Sequence, residues 1–169
     1  MALRKGNAGE IASFILILAD LLSWFTVFVM HEKYTSIDGL RWMFIGIKPP
    51  FSLLLIDVDN FKSVNDTYGH IIGDSVLRQF AHLLRSKARK DYILARWGGE
   101  EYVMALPRTG VDDAFYIADG IRKAVQEHRF CCQGITCNIT VSIGIASISR
   151  RANINDIEQF FVRADKALY

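Results

Sequence analysis

The sequence predicts an α+β domain: an antiparallel central sheet backed by helices, of the ferredoxin-like kind, with an N-terminal apolar helix ahead of it. Three observations carry this prediction. From residue 51 onward the elements read strand, helix, hairpin, helix, strand, helix. Residues 135–148 alternate apolar and polar side chains, the period of a half-buried strand. Residues 11–30 form an apolar run interrupted by a single formal charge, Asp20. The bulk composition agrees. A chain of 169 residues that is 51% apolar can bury one sizeable core. With 22% charged residues and a net charge of +2 it is neither a disordered chain nor a dedicated nucleic-acid binder, so no nucleic-acid partner is expected.

The N-terminal part, residues 1–35, is dominated by the run IASFILILADLLSWFTVFVM. Roughly 20 apolar residues span a bilayer as a helix. An unpaired aspartate near the middle opposes this by on the order of 3 kcal/mol. Arg4 and Lys5 precede the run and His31, Glu32 and Lys33 follow it, so charge hardly sets an orientation. No small-residue cleavage site follows, which argues against a signal peptide. Two readings stand: a membrane span, or a packing or dimer-forming helix with Asp20 turned outward. Residues 36–50 are a connector.

Residues 51–169 read as one folded domain. FSLLLIDV, residues 51–58, follows two prolines and is a buried strand by length. Gly73 and Asp74 open a helix whose apolar residues Val76, Leu77, Phe80, Leu83 and Leu84 keep helical spacing, with Asp74 suited to the helix dipole. Residues 92–97 and 102–106 are strands around Gly98 and Gly99, a hairpin signal. Ala114, Ile117, Ala118, Ile121, Ala124 and Val125 mark an amphipathic helix. Residues 135–148 form one long strand, with Ile135, Cys137, Ile139, Val141, Ile143 and Ile145 on the inner face. Residues 153–169 close the chain as a helix with Ile157, Phe160, Phe161, Ala164 and Leu168 inward. Cys131, Cys132 and Cys137 have neither zinc-site spacing nor an even count, and read as reduced thiols.

Carboxylates gather at two places in this pattern. Asp57 and Asp59 end the first strand, and Glu100 and Glu101 follow the double glycine. If the hairpin pairs beside the first strand, Asp57 and a glutamate converge. Two carboxylates on a rigid sheet, with positions left open for water and phosphate, make a reasonable Mg²⁺ site. Gly98 and Gly99 would let a substrate approach the backbone. Between them lies the polar stretch NFKSVNDTYGHIIGD, residues 60–74. Lys62 could neutralise phosphate, while Asn65 and Asp74 could read a base edge. A carboxylate accepts from two neighbouring N–H groups, which guanine offers at N1 and N2 and adenine does not. Each feature also has a plain structural reading, as solvated acids, a turn, or helix caps. No Walker A or dinucleotide fingerprint occurs.

The combination is more specific than its parts. LLLIDVDNFKSVNDTYGHIIGD, RWGGEEY, TVSIGIA and ADKALY, in this order, resemble the GGDEF domain of bacterial diguanylate cyclases, in the GGEE form of its signature. The resemblance implies a fold like the polymerase palm and the class III nucleotide cyclases. It implies condensation of two GTP into cyclic di-GMP, for bacterial second-messenger signalling. Carried over by position, it implies that Asp57, the Val58 carbonyl and Glu100 hold Mg²⁺, with Mn²⁺ as an alternative. Glu100 and Glu101 would be the catalytic carboxylates. Asn65 and Asp74 would bind guanine between Phe61 and Leu77, Lys62 and Arg96 would face phosphates, and Gly98 and Gly99 would admit the triphosphate. Each subunit would hold one GTP, so a homodimer is required. The expected location is the inner membrane through residues 11–30, with the catalytic domain in the cytoplasm; a cytoplasmic protein is the alternative.

The sequence departs from the family pattern in three places. Only Ile37-Asp38-Gly39-Leu40 echoes the usual leading segment, with Trp42 and Met43 where Asn and Arg are expected. The chain stops at Tyr169, short of the expected Lys-bearing tail, which suggests a C-terminally truncated domain. The product-inhibition motif Arg-x-x-Asp is broken: Arg89 is in place, but Asp91 comes one position early and Tyr92 fills the acidic slot. Tyr102 replaces the usual Phe. A catalytically weak or inactive GTP-binding regulatory module is the competing reading.

Overall fold

The computed structural model describes residues 49–148 and 157–168. In chain order these form β1 (Phe51–Val58), α1 (Phe61–Tyr68), α2 (His70–Lys87), β2 (Ile93–Arg96), β3 (Glu101–Pro107), α3 (Val111–Glu127), β4 (Phe130–Cys132), β5 (Ile135–Cys137), β6 (Val141–Ile148) and α4 (Ile157–Leu168). Four strands make the main sheet in the order β2-β3-β1-β6, antiparallel throughout. That is the ferredoxin-like order expected from the sequence. β4 and β5 form a separate two-stranded hairpin.

β1 is central because both of its faces are apolar. Leu54, Ile56 and Val58 pack in the main core with Val76, Leu77, Phe80 and Leu84 of α2 and Ala114, Ala118, Ile121 and Val125 of α3. The alternate residues Phe51, Leu53 and Leu55 are equally buried on the other face. There Phe51 lies 5.5 Å, centroid to centroid, from Phe160 of α4. A strand covered on both sides reads as a continuous apolar run, as this one does. Each fully buried Leu or Ile contributes at most about 1.5–3 kcal/mol of transfer free energy. α4 approaches β6 so closely that a Cβ on Gly144 would collide with the carbonyl of Ala164. Gly144 therefore sets the distance at which α4 covers the sheet.

Several sequence expectations change. The helix expected to open at Gly73 and Asp74 begins at His70, directly after Gly69 at φ +80°. Asp74 lies in its second turn and is exposed, so it does not cap that helix. The polar stretch ahead of it is itself helical: α1 buries only Phe61, which explains why no apolar period announced it. The single strand expected at 135–148 is two strands in two sheets. The alternation persists through residues 138–140 because Ile139 remains buried and Thr140 exposed while the chain crosses between sheets. The β4–β5 turn is made by Gln133 and Gly134, both at positive φ (50° and 80°), the geometry of a two-residue hairpin loop. In β6 Ile143 and Ile145 are only half-buried, and Gly144 and Ala146 are buried instead. The last helix is α4, with Phe160 and Ala164 inward as expected, while Phe161 is half-buried, 4.8 Å from Trp97.

The three cysteines are free thiols, Cys137 buried and Cys131 exposed. Among the described residues no helix is long and apolar enough to cross a membrane. The apolar run at 11–30, the 37–40 echo and most of the connector lie outside the described residues.

Candidate active site

The sheet register brings the carboxylates together. β1 pairs with β3 so that Asp57 stands opposite Glu101, and with β6 so that Asp57 stands opposite Ser142. Directly opposed residues on neighbouring strands share a face, with Cβ atoms about 4.5–5.5 Å apart. Glu100 is the adjacent residue, at the end of the turn joining β2 to β3. That turn is closed by the Glu101 carbonyl, which accepts from the backbone N–H of Trp97 (2.8 Å) and of Gly98 (3.3 Å).

Both glycines of the turn are accounted for locally. A Cβ on Gly98 would lie 2.6 Å from Oε2 of Glu101, so that glycine makes room for the carboxylate. Gly99 is exposed with open space around it. Arg96 folds over the turn: its Nε donates to the carbonyls of Gly98 (3.2 Å) and Gly99 (3.1 Å), and its Nη2 donates to Gly99. The guanidinium thus fixes the loop.

The electrostatics are those of like charges held close together. The Asp57 carboxyl is pushed up to about 6, first by burial and then by the charges of Glu101, Glu100 and Asp59. Glu101 is also raised, by burial first and then by Glu100 and by Asp165 of α4. Like charges held close on a rigid sheet disfavour ionisation, and a bound cation reverses that cost. A cleft of about 470 Å³ opens here, lined by Asp57, Asp59, Asn60, Thr140, Ser142 and Leu168.

No three His, Cys, Asp or Glu side chains among the described residues converge into a complete metal cage. Mg²⁺ is usually held by one or two carboxylates together with water and substrate phosphates. Asp57 and Glu100, with the Val58 carbonyl at the end of β1, could hold such an ion. Val58's side chain is buried, so only its backbone faces this role.

The expected base-binding residues sit on α1 and α2, outside that cleft. Asn65 is half-buried and packs onto α2 where Gly73 has no side chain, next to exposed Asp74. Phe61 and Leu77 are buried in the main core. Lys62 is exposed on α1. Tyr102 explains its departure from Phe: its hydroxyl donates to the Leu77 carbonyl (3.3 Å) and its ring stands edge-on to Phe80 at 5.0 Å. Burial raises its phenol pKa, so it remains a neutral donor.

The corner before β2 is built differently. Asp91 accepts from Arg108 at 2.6 Å and pairs with Arg89 at 3.5 Å. The hydrogen bond from Arg108 holds its carboxyl below the usual range. Tyr92 is buried, with the Arg89 guanidinium 5.3 Å from its ring centroid.

Residues missed by sequence reasoning are Thr140 and Ser142, whose hydroxyls each donate to Asp59 at 2.6 Å. Their only signal was membership of the TVSIGIA segment.

Comparison with known proteins identifies the family. Residues 46–169 match the family model described as diguanylate cyclase, GGDEF domain. The chain is 41% identical over 146 residues to diguanylate cyclase A of Treponema denticola, covering 86% of this chain and 37% of that protein. It is 45% identical over 139 residues to diguanylate cyclase DgcM of Escherichia coli K12, covering 82% of this chain and 32% of that protein. The chain thus spans about a third of the length of these relatives. Among solved structures, the active GGEEF domain of a diguanylate cyclase from Vibrio cholerae superposes with a TM-score of 0.63 at 38% identity, over 71% of this chain and 74% of that one. With a family model matching well over half of its length, the chain belongs to the GGDEF domain family of diguanylate cyclases.

Proposed function

We propose that this chain condenses two GTP molecules into cyclic di-GMP and releases two pyrophosphates. The observation that carries the proposal is the cross-strand placement of Asp57 opposite Glu101, with Glu100 beside it and open space at Gly99 in the turn. In each half-reaction a 3′-hydroxyl attacks an α-phosphate. One P–O bond forms, the bond to pyrophosphate breaks, and the hydroxyl proton is lost.

Asp57, the Val58 carbonyl and Glu100 would hold Mg²⁺, or Mn²⁺ in its place. When bound, the metal would lower the pKa of the attacking hydroxyl and offset charge on the leaving pyrophosphate. The chain's own residues do the rest. Glu101, whose carboxyl is held above its ordinary pKa, would take the hydroxyl proton. Lys62 and Arg96 offer positive charge to the phosphates. Asn65 and Asp74 bind the guanine edge, with Phe61 and Leu77 as apolar support below. One site holds one GTP, so two chains face each other as a homodimer for the bonds to form.

The competing reading, a regulatory module that binds GTP without turnover, is the weaker one. Asp57, Asn65, Asp74, Glu100 and Glu101 are all present, and a binding module has no need of clustered, mutually repelling carboxylates. The apolar run at residues 11–30 supports a tether to the inner membrane with this domain in the cytoplasm. Resistance to alkaline carbonate extraction, lost on removal of residues 1–33, would support the tether; a fully soluble chain would favour a packing helix. The activity itself is tested by incubating the chain with GTP and Mg²⁺ and weighing the product. Cyclic di-GMP is expected; GTP recovered intact would leave the regulatory reading.

A further inference from the structure

The TVSIGIA segment contributes two hydroxyls that nothing in the proposed chemistry uses. Thr140 Oγ1 donates to one oxygen of Asp59 and Ser142 Oγ donates to the other, both at 2.6 Å. The backbone N–H of Asp59 donates in turn to the Thr140 carbonyl at 3.0 Å. Three hydrogen bonds therefore join the residue just past the end of β1 to the start of β6. Hydroxyl-to-carboxylate bonds of this length are charge-assisted and about twice as strong as neutral ones.

The position of this clamp matters. β1 ends at Val58, and Asn60 is already in the left-handed region at φ 53°. The chain turns away from the sheet within two residues of the proposed metal donors. Without an anchor at residue 59, Val58 would be a terminal, fraying strand residue and its carbonyl would have no fixed direction. With the anchor, pairing to β6 extends one residue past Val58, and Asp57 stays opposite Ser142. Both oxygens of Asp59 already accept hydroxyls, which distinguishes it from Asp57 and Glu101.

We infer that Asp59 is a positioning residue: clamped by Thr140 and Ser142, it fixes the corner that presents the Asp57 carboxylate and the Val58 carbonyl to the metal. The inference rests on the metal-dependent reading of the site given above. A ligand role for Asp59 makes the opposite forecast for the hydroxyls, since removing them would free its carboxylate.

The test uses the full chain, Mn²⁺ as the metal and 3′-deoxy-GTP as an unreactive substrate, with free Mn²⁺ read by electron paramagnetic resonance. Asp59→Ala should loosen Mn²⁺ about ten-fold or more, the usual scale for residues that orient metal ligands. In turnover assays it should lower kcat similarly, while KM for GTP at saturating metal changes by less than about three-fold. Thr140→Val/Ser142→Ala, which leaves the carboxylate in place, should reproduce the loss. Adding Asp59→Ala to that pair should cost little more, because the three groups act as one unit. Asp59→Asn, retaining one acceptor oxygen, should recover part of the affinity. Thermal melting of each variant separates misfolding from mispositioning, and the hydroxyl pair at the exposed end of β6 remains informative if Asp59→Ala does not fold. Unchanged Mn²⁺ affinity in the hydroxyl variant overturns the inference, as does additive loss in the triple variant or a wild-type chain that binds no Mn²⁺. A wild-type chain that makes no cyclic di-GMP but shows the same coupled loss of Mn²⁺ would sink the proposed function and leave the clamp standing.

Discussion

Two corners of this domain carry acids and treat them in opposite ways. At the end of β1, Asp57 and Glu101 face each other beside Glu100, and both Asp57 and Glu101 are harder to ionise than ordinary carboxyls. At the entry to β2, Asp91 is held between Arg108 and Arg89 and ionises more easily than usual. The second corner is electrically complete. The first holds like charges close on rigid strands, which is costly to the fold. Charge left uncompensated on rigid strands marks where chemistry is expected; charge that the chain has already neutralised does not.

The largest effect expected from breaking this contrast is on turnover. Asp57→Asn or Glu100→Gln removes a donor from the uncompensated corner, and cyclic di-GMP formation should fall roughly 10³-fold or more with the fold intact. Asp91→Asn, an equally drastic change of charge at the other corner, should leave the rate within about three-fold. Equal losses at the two corners would erase the distinction.

Base choice comes next. Asp74 is exposed on α2 and free to face a nucleobase. ATP would leave its carboxylate facing the N1 lone pair of adenine, so GTP should be preferred by roughly 100-fold, measured as kcat/KM. Asp74→Ser should shrink that ratio by at least about ten-fold. An unchanged ratio would return Asp74 to a purely surface role.

Feedback by product is the third comparison. With Tyr92 buried where an acid is expected and Asp91 engaged by Arg108, added cyclic di-GMP should inhibit only weakly. Micromolar inhibition abolished by Arg89→Ala would mean that Asp91 serves after all.

The smallest effect is on stability without metal. A carboxyl whose folded pKa is raised holds its proton to higher pH in the folded than in the unfolded chain. Its contribution therefore favours folding at low pH and is lost as pH climbs from about 4 through about 6. Asp57 is only half-buried, so screening leaves about 1 kcal/mol of this. In metal-free buffer, Asp57→Asn should raise Tm at pH 8 by about 2–4 °C and change it little at pH 4. Asp91→Asn should have the opposite sign at pH 8.

Much of this layout was legible in the residues. FSLLLIDV declared β1 because a strand buried on both faces needs an unbroken apolar run, and the prolines and acids bracket it. The double glycine marked the hairpin, and the convergence of Asp57 with a glutamate followed once β3 was set beside β1. Three things were hidden. α1 is short and polar, with only Phe61 buried, so it carries no apolar period. The break between β5 and β6 is masked because the crossing at residues 138–140 keeps the alternation of a strand. The Asp59 clamp depends on the register of two strands whose contacting residues lie 81 and 83 positions apart, and no local pattern encodes that.

The contrast between the corners reduces to two titrations readable in one experiment. Carbon-detected NMR of the side-chain carboxyls, without metal, should give Asp57 an apparent pKa of about 6, while Asp91 lies below the usual carboxylate range. Adding Mg²⁺ with 3′-deoxy-GTP should pull Asp57 below about 4, since a bound cation favours its charged form, and leave Asp91 where it was. An Asp57 that titrates as an ordinary surface acid, or that ignores Mg²⁺ and nucleotide, would contradict the claim that this corner is built to receive a cation.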